Sequence, residues 1–272
     1  MNIEEKREVG NLLKMRNNCI MKFFSISILI WLTLLGCSKP EKPEIQLTKR
    51  WHNEKGVLIK EQEFINDTIK HGIYRFFFPN GQIKDSVRFI QNKMHGKRYV
   101  FYENGNLHVL ANYNMGKERN GIRYKQDGRI DCYKAFTYTS ELVFYLYYDS
   151  VGHLKKHDGS IIHSWVLDDN YPLGEELSIE LLVANPPNYK TEVFISEFDV
   201  DKNKKYNESA YTPDEFNRIV YQVQQNPERD LIFLHKAILL NESSQTTLHD
   251  SLFILISKDG GSASARSINN LF

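Results

Sequence analysis

The sequence predicts a mainly β protein, in which an elongated antiparallel β-hairpin repeat sheet is followed by a C-terminal β-sandwich-like domain. Three observations predict this class. Fifteen Tyr and sixteen Phe fall mostly in short alternating runs, which suit a pleated, half-buried surface better than a helix. Glycines recur at a nearly constant spacing after turn-forming residues, and the second half of the chain has longer apolar runs bounded by Pro, Asn or Gly.

The start of the chain has the layout of an export signal. We interpret residues 1–20 as lying upstream of the true start, Met21. Met21 and Lys22 precede a thirteen-residue apolar run at 23–35, which is shorter than the roughly 20 residues that a membrane-spanning helix needs. Residues 21–36 are therefore predicted to be a lipoprotein signal peptide.

Leu34-Leu35-Gly36-Cys37 resembles the bacterial lipobox. The resemblance implies cleavage before Cys37, attachment of a diacylglycerol to the Cys37 thiol and acylation of the new amino terminus. Ser38 at the next position resembles the outer-membrane sorting preference, so the expected location is the cell envelope, at the outer membrane. Residues 37–47, with two prolines, are predicted to form a lipidated, extended tether. The alternative is a buried apolar segment that happens to end in Cys.

Five glycines mark a repeat of 23 to 25 residues within 48–157: Gly56, Gly81, Gly105, Gly128 and Gly152. An apolar residue lies two positions beyond each of them, and an aromatic residue lies eight positions beyond the first four. Because these two positions share strand parity, they are predicted to form one apolar row on one face of the sheet.

Turn chemistry supports the repeat. The pairs Asn80-Gly81, Asn104-Gly105 and Asp127-Gly128 predict two-residue hairpin loops, because these residues tolerate positive φ. A second set of glycines is predicted to mark the corners between successive hairpins: Gly72, Gly96 and Gly121.

Residues 72–81 and 96–107 follow the pattern Gly-X-X-Tyr/Phe-aromatic-X-Asn-Gly-X-Leu/Ile most closely. This pattern resembles the bacterial MORN-variant repeat, which also characterises the YwqK family of antitoxins. The resemblance implies an antiparallel sheet built hairpin by hairpin, with a long exposed face for partners.

The remaining chain, from 160 to 257, is predicted to form the β-sandwich-like domain, with a flexible tail at 258–272. Strands are predicted at 161–167, 173–183, 191–198, 231–240 and 251–257. Thr212-Pro213-Asp214-Glu215 predicts the start of a short helix, since Pro is favoured in the first helical turn.

Charge divides between the two halves of the mature chain. Residues 38–157 carry 21 Lys/Arg and 13 Asp/Glu, a net charge of +8, whereas residues 158–272 carry 9 and 18, a net charge of −9. A basic half would favour contact with an anionic lipid, a polysaccharide or an acidic protein. Alternatively, the two halves face each other.

The sequence contains no motif that predicts an enzyme, a metal site or a cofactor. Residues 199–203 open like a calcium loop, but Lys204 and Ala210 stand where the loop needs Gly and Glu, so a polar turn is expected. Cys132 is expected to be a buried apolar residue. The acidic pair at 168–169 is expected in a turn, and the two histidines at 153 and 157 on a solvated surface.

The favoured function is a noncatalytic binding or scaffolding role at the envelope, exercised through the repeat sheet. Strand-borne Tyr, Lys and Arg would supply ring contacts, hydrogen bonds and attraction to an anionic partner. The partner is expected to be a protein or a glycan, not a nucleic acid. The alternatives are an antitoxin or immunity-type protein and an envelope hydrolase. The predicted binding face comprises Lys97, Arg98, Tyr99, Tyr102 and Arg123.

Overall fold

The computed structural model of the chain describes residues 47–166, 176–199, 204–224, 226, 230–241, 243–257 and 264–267. Every regular element in these ranges is a β-strand, which confirms the predicted mainly β class. None of the ranges contains a helix long and apolar enough to cross a membrane. The predicted signal peptide, Cys37 and almost all of the predicted tether lie outside the described residues.

The repeats form one sheet of ten antiparallel strands arranged in chain order, as predicted. Each strand pairs with the strands before and after it, so the sheet is a continuous series of hairpins. The strands are β1 Leu47–His52, β2 Leu58–Ile65, β3 Ile69–Phe77, β4 Ile83–Ile90, β5 Lys93–Phe101, β6 Leu107–Asn114, β7 Lys117–Tyr124, β8 Ile130–Phe136, β9 Leu142–Tyr148 and β10 Leu154–Gly159.

The hairpin loops at the Asn-Gly and Asp-Gly pairs have three residues, not the two predicted. At the first of these loops, the Phe78 amide donates to the Gln82 carbonyl at 2.8 Å and the Gly81 amide donates to the Phe78 carbonyl at 2.9 Å. This is a type I turn followed by one residue with positive φ, here Gly81 at +83°. Asn80 acts through its side chain, because its Oδ1 accepts a hydrogen bond from the Gln82 amide at 3.0 Å.

Two-residue turns with positive φ at both residues occur at the opposite end of the hairpins, at Gln91-Asn92 and Met115-Gly116. The corresponding loop between β2 and β3 has three residues, 66–68, with positive φ at Asn66 and Asp67. The prediction that Gly72, Gly96 and Gly121 mark these corners is wrong, because these glycines lie inside strands β3, β5 and β7. The first two have φ of +95° and +78° there, which glycine adopts without steric cost.

A one-residue β-bulge beside the hairpin loop separates positions that were predicted to share a face. Phe76 pairs with Asp85, whereas the next residue, Phe77, pairs with Ile83, so one residue of β4 has no partner. Paired residues share a face and consecutive residues alternate. Ile83 and Phe89 therefore lie on opposite faces, and the prediction of a single apolar row is wrong.

The C-terminal part of the chain forms two smaller antiparallel sheets, in the strand orders β11-β12-β15 and β14-β13-β16-β17-β18. Buried side chains from both sheets belong to one hydrophobic cluster, as in a β-sandwich. The five predicted strands all overlap observed ones, whereas β14, β15 and β18 were not predicted. The strands are β11 Ile162–Val166, β12 Glu176–Val183, β13 Lys190–Asp199, β14 Lys204–Tyr211, β15 Arg218–Gln224, β16 Leu231–Asn241, β17 Thr246–Ile256 and β18 Ser264–Ser267.

The predicted helix after Thr212-Pro213 is wrong. Asp214 Oδ1 accepts hydrogen bonds from the amides of Phe216 and Arg218, both at 2.8 Å. The Asp214 side chain therefore closes a turn instead of capping a helix, and β15 begins directly after it.

Part of the tail predicted to be flexible belongs to a sheet, because β18 pairs with β17. The other tail residues, the acidic pair at 168–169 and residues 200–203 of the predicted polar turn lie outside the described residues.

The main hydrophobic core includes residues of the repeat sheet as well as of the two smaller sheets. Tyr133, Ala135, Phe144 and Leu146, on β8 and β9, are at most 6% exposed and join the cluster formed by the C-terminal strands. The end of the repeat sheet is therefore covered by the C-terminal part of the chain, and the division into domains at 157–160 stays a prediction.

Candidate interaction surface

The two faces of the repeat sheet are defined by the cross-strand pairs. On the back face, one row crosses the middle of the sheet from Ser86 through Tyr99, Leu110 and Ile122 to Tyr133, each residue pairing with the next. Along each strand, the residues that alternate with those of the back face point to the front face. Along the back-face row, Tyr99 is 37% exposed and Tyr133 is fully buried, so only the part built by the earlier strands is open to a partner.

The five residues of the predicted binding face do not lie together. Lys97 and Tyr99 are two residues apart on β5 and point to the back face, whereas Arg98 between them points to the front face. Arg123 pairs with Val109, which pairs with Val100, so Arg123 also lies on the front face. The alternation of β5 separates residues that are adjacent in sequence.

Both front-face arginines are engaged by carboxylates. Arg98 Nη2 lies 2.6 Å from Asp85 Oδ2, and Arg98 Nε donates to both Asp85 oxygens. This hydrogen-bonded pairing raises the pKa of Arg98. Arg123 Nη2 lies 2.5 Å from Asp131 Oδ2, and that hydrogen bond raises the pKa of Arg123. An added anionic partner would have to compete with these carboxylates.

Tyr102 follows β5 in the hairpin loop and links two neighbouring hairpins. Its hydroxyl donates to the Tyr124 carbonyl at 2.9 Å, and its ring lies 4.3 Å from the His108 ring. The same two loops are joined a second time, because Asn106 Nδ2 donates to the Gln126 carbonyl at 2.9 Å. Tyr102 therefore has a structural role that holds successive loops in register.

Tyr133 connects the buried end of the back face to the C-terminal part of the chain by hydrogen bonds. Its hydroxyl accepts hydrogen bonds from the Asn185 amide and from Asn217 Nδ2, each at 2.9 Å. Both donors belong to the C-terminal part of the chain, and burial raises the pKa of Tyr133. The hydroxyl therefore accepts two hydrogen bonds that hold the two parts together.

Arg119 is a second residue of the repeat sheet that lies at the contact with the C-terminal part of the chain. It is 2% exposed, and its guanidinium carbon lies 3.7 Å from the centre of the Tyr138 ring, a cation–π arrangement. Burial lowers the pKa of Arg119 and raises the pKa of Glu180, and the electrostatic attraction between the two opposes both shifts. A basic residue of the repeats therefore faces an acidic residue of the C-terminal half at this contact.

The open part of the back face combines aromatic rings with cations. Tyr99 and Phe101 are stacked, with ring centroids 6.4 Å apart and an angle of 12° between their planes. Arg88 and Lys97 are exposed, and neither makes an ion pair with another described residue. Arg88 lies opposite His95, two residues from Lys97 on β5, so the two cations are neighbours on the sheet.

We call this region the open back-face surface, and it comprises Arg75, Arg88, Lys97, Tyr99, Phe101 and Leu110. Only Lys97 and Tyr99 were predicted from sequence. Arg75 forms an ion pair with Glu61 at 2.6 Å, whereas Arg88 and Lys97 form none with a described residue. Strand parity around Tyr99 would have added Phe101, but Arg75, Arg88 and Leu110 required knowledge of the cross-strand register.

Cys132 is 3% exposed, as the sequence predicts, and burial raises the pKa of its thiol. A thiol with a raised pKa is a poor nucleophile, because the thiolate is the reactive form.

The fold and its open sheet face define an all-β protein that presents a repeat-built surface. Residues 70–91 and 94–115 match the MORN repeat variant, so the chain contains two MORN-variant repeats in strands β3 to β6. A search of curated proteins gives no match. The matched repeats carry Arg88, Lys97, Tyr99 and Phe101 of the open back-face surface.

Proposed function

We propose that the protein is a noncatalytic binding or scaffolding protein that engages a partner protein through the open back-face surface. The observation that carries this proposal is the combination of the stacked Tyr99 and Phe101 with two exposed cations that form no ion pair with a described residue. Tyr and Arg are enriched at protein interfaces, where rings supply contact area and guanidinium groups bind carboxylates. The partner surface would therefore be acidic, with an apolar centre.

The two ends of the back face favour this assignment over the front face. At the end nearer the C-terminal half, Tyr133 and Leu146 are fully buried beneath that half, so this face of the sheet already accepts a protein layer. On the front face, Arg98 and Arg123 are neutralised by Asp85 and Asp131.

The proposal predicts that reversing the charge of the open back-face surface abolishes partner capture. In the variant Arg88→Glu/Lys97→Glu, an acidic partner would meet repulsion in place of attraction, and we expect its affinity to fall at least about 100-fold. The measurement is crosslinked affinity capture of the full-length protein from its own cells, followed by titration of the dominant partner. Truncation of Tyr99 to Ala should weaken the same partner about tenfold.

Lys117→Glu is the matched control, because Lys117 is an exposed repeat-sheet lysine outside this surface. Undiminished capture by Arg88→Glu/Lys97→Glu would refute the assignment of the surface. If the captured partner is a secreted toxin whose action the protein blocks, the binding role is that of an antitoxin or immunity-type protein.

We further propose that the protein is anchored in the cell envelope through lipid on Cys37, at the outer membrane. Leu34-Leu35-Gly36-Cys37 after a short apolar run supports this proposal. Intact-mass and amino-terminal analysis of protein extracted from membranes should find a chain that begins at acylated Cys37. The Cys37→Ser variant should lose the lipid mass and detach from membranes, and an unmodified Cys37 in the wild-type protein would contradict the proposal.

A further inference from the structure

A cleft of about 360 Å³ opens between the edges of the two C-terminal sheets. The five-stranded sheet ends at β14 and the facing three-stranded sheet ends at β15. Tyr211 and Ser209 pair with Val193 and Ile195, both buried in the core, so they lie on the inner side of β14. The cleft volume falls within the range of small-molecule sites, about 300 to 1,000 Å³.

The cleft has an apolar floor and aromatic walls. Leu231 and Val223 are buried beneath it. The Tyr221 ring centroid lies 6.2 Å from that of Tyr211 and 6.3 Å from that of Phe233. The Tyr221 hydroxyl lies 2.5 Å from His235 Nε2 in the core, which fixes the Tyr221 ring against the floor. The aromatic wall is therefore held in place before any ligand arrives.

The described residues at the rim of the cleft are mostly polar and uncharged. Residues with hydroxyl or amide side chains line it, including Ser209 and Asn207 on β14. Among the described lining residues, Glu197 is the only one with a formal charge, and Lys and Arg do not occur among them. An anionic ligand would meet no counter-ion among these described lining residues, and a purely apolar ligand would leave the rim groups without partners.

We propose that this cleft binds a neutral saccharide of one or two sugar rings. The C–H face of a sugar ring is apolar and packs against aromatic rings, while its hydroxyl groups exchange hydrogen bonds with amides and hydroxyls. The cleft offers both kinds of contact within a space of this size. This saccharide site is separate from the open back-face surface and does not depend on it.

The test is saturation-transfer NMR on the full-length protein, with maltose, cellobiose and N,N′-diacetylchitobiose as neutral probes and 3′-sialyllactose as the anionic comparison. We expect at least one neutral disaccharide to bind with a dissociation constant on the order of 1 mM, and 3′-sialyllactose to bind at least about tenfold more weakly. Absence of binding by all three neutral probes would overturn the proposal.

Two variants locate the site. Tyr211→Ala removes one aromatic wall and should weaken binding at least about tenfold, whereas Tyr211→Phe keeps the ring and should retain it. Ser209→Arg, at an exposed position on the inner side of β14, fills the cleft with a long cation and should abolish binding even if Tyr211→Ala does not fold. Tyr99→Ala, on the repeat sheet, is the control. Loss of binding in Tyr99→Ala, or full binding in folded Ser209→Arg, would place the saccharide elsewhere.

Discussion

Replacing Gly159 by Ala should destabilise the protein by at least about 3 kcal/mol. Gly159 pairs with Phe144 on β9 and has φ of +93°. A Cβ there would collide with the Val143 carbonyl oxygen and lie 3.0 Å from Phe144 Cα. The same carbonyl accepts the Ser160 amide at 2.8 Å. The backbone would have to move beside Phe144, which is 1% exposed, and the contact between the repeat sheet and the core would loosen.

Gly105→Ala is the matched control. Gly105 also has positive φ, at +85°, but a Cβ there would meet no atom within 4 Å. It should therefore cost only the conformational strain of about 1–2 kcal/mol. Urea denaturation of the full-length chain gives the free energy of unfolding of both variants. Equal losses in the two would show that the approach to Val143 does not constrain the fold.

Acid should destabilise the C-terminal sheets through His235. This side chain is fully buried, and burial lowers its pKa from 6.5 to about 4. Between these two values the unfolded chain binds more protons than the folded chain, so stability falls as pH drops from about 6.5 to about 4. The shift corresponds to about 3 kcal/mol. Above pH 6.5 this contribution is fully present.

His235→Phe tests the assignment, because it removes the titrating group and keeps a ring in the core. The variant should be less stable at pH 7, since the Tyr221 hydroxyl loses its partner. Its difference in unfolding free energy between pH 7 and pH 4 should be about 3 kcal/mol smaller than that of the wild type. An unchanged difference would assign the acid sensitivity to other groups, such as His163, whose pKa burial also lowers.

The repeats could be predicted from sequence because their turns are local. Gly81 has to be glycine for its own φ, and Asn80 bonds to a backbone amide only two residues away. Such requirements place the same residue types at a nearly fixed spacing along the sequence, and this spacing predicts the number and order of the hairpins. Loop length and bulge position depend on the partner strand, so the loop length was predicted wrongly and the bulges were not predicted.

The candidate surface was only partly predictable for the same reason. Lys97 and Tyr99 were found because Tyr, Lys and Arg on predicted strands are suited to binding a partner. Arg98 was grouped with them although alternation places it on the other face, beside Asp85, thirteen residues away in sequence. Arg88 joins the open back-face surface only through the register between β4 and β5.

The sequence by itself determined the all-β class, the hairpin repeat and the burial of Cys132, because composition, local turn chemistry and strand alternation act over a few residues. Tertiary structure alone decided which half of the back face stays open and how a cleft opens between β14 and β15. These features depend on contacts between residues far apart in the chain. Tyr133, for example, is covered because Asn185 and Asn217 reach its hydroxyl, and no local pattern records such a contact.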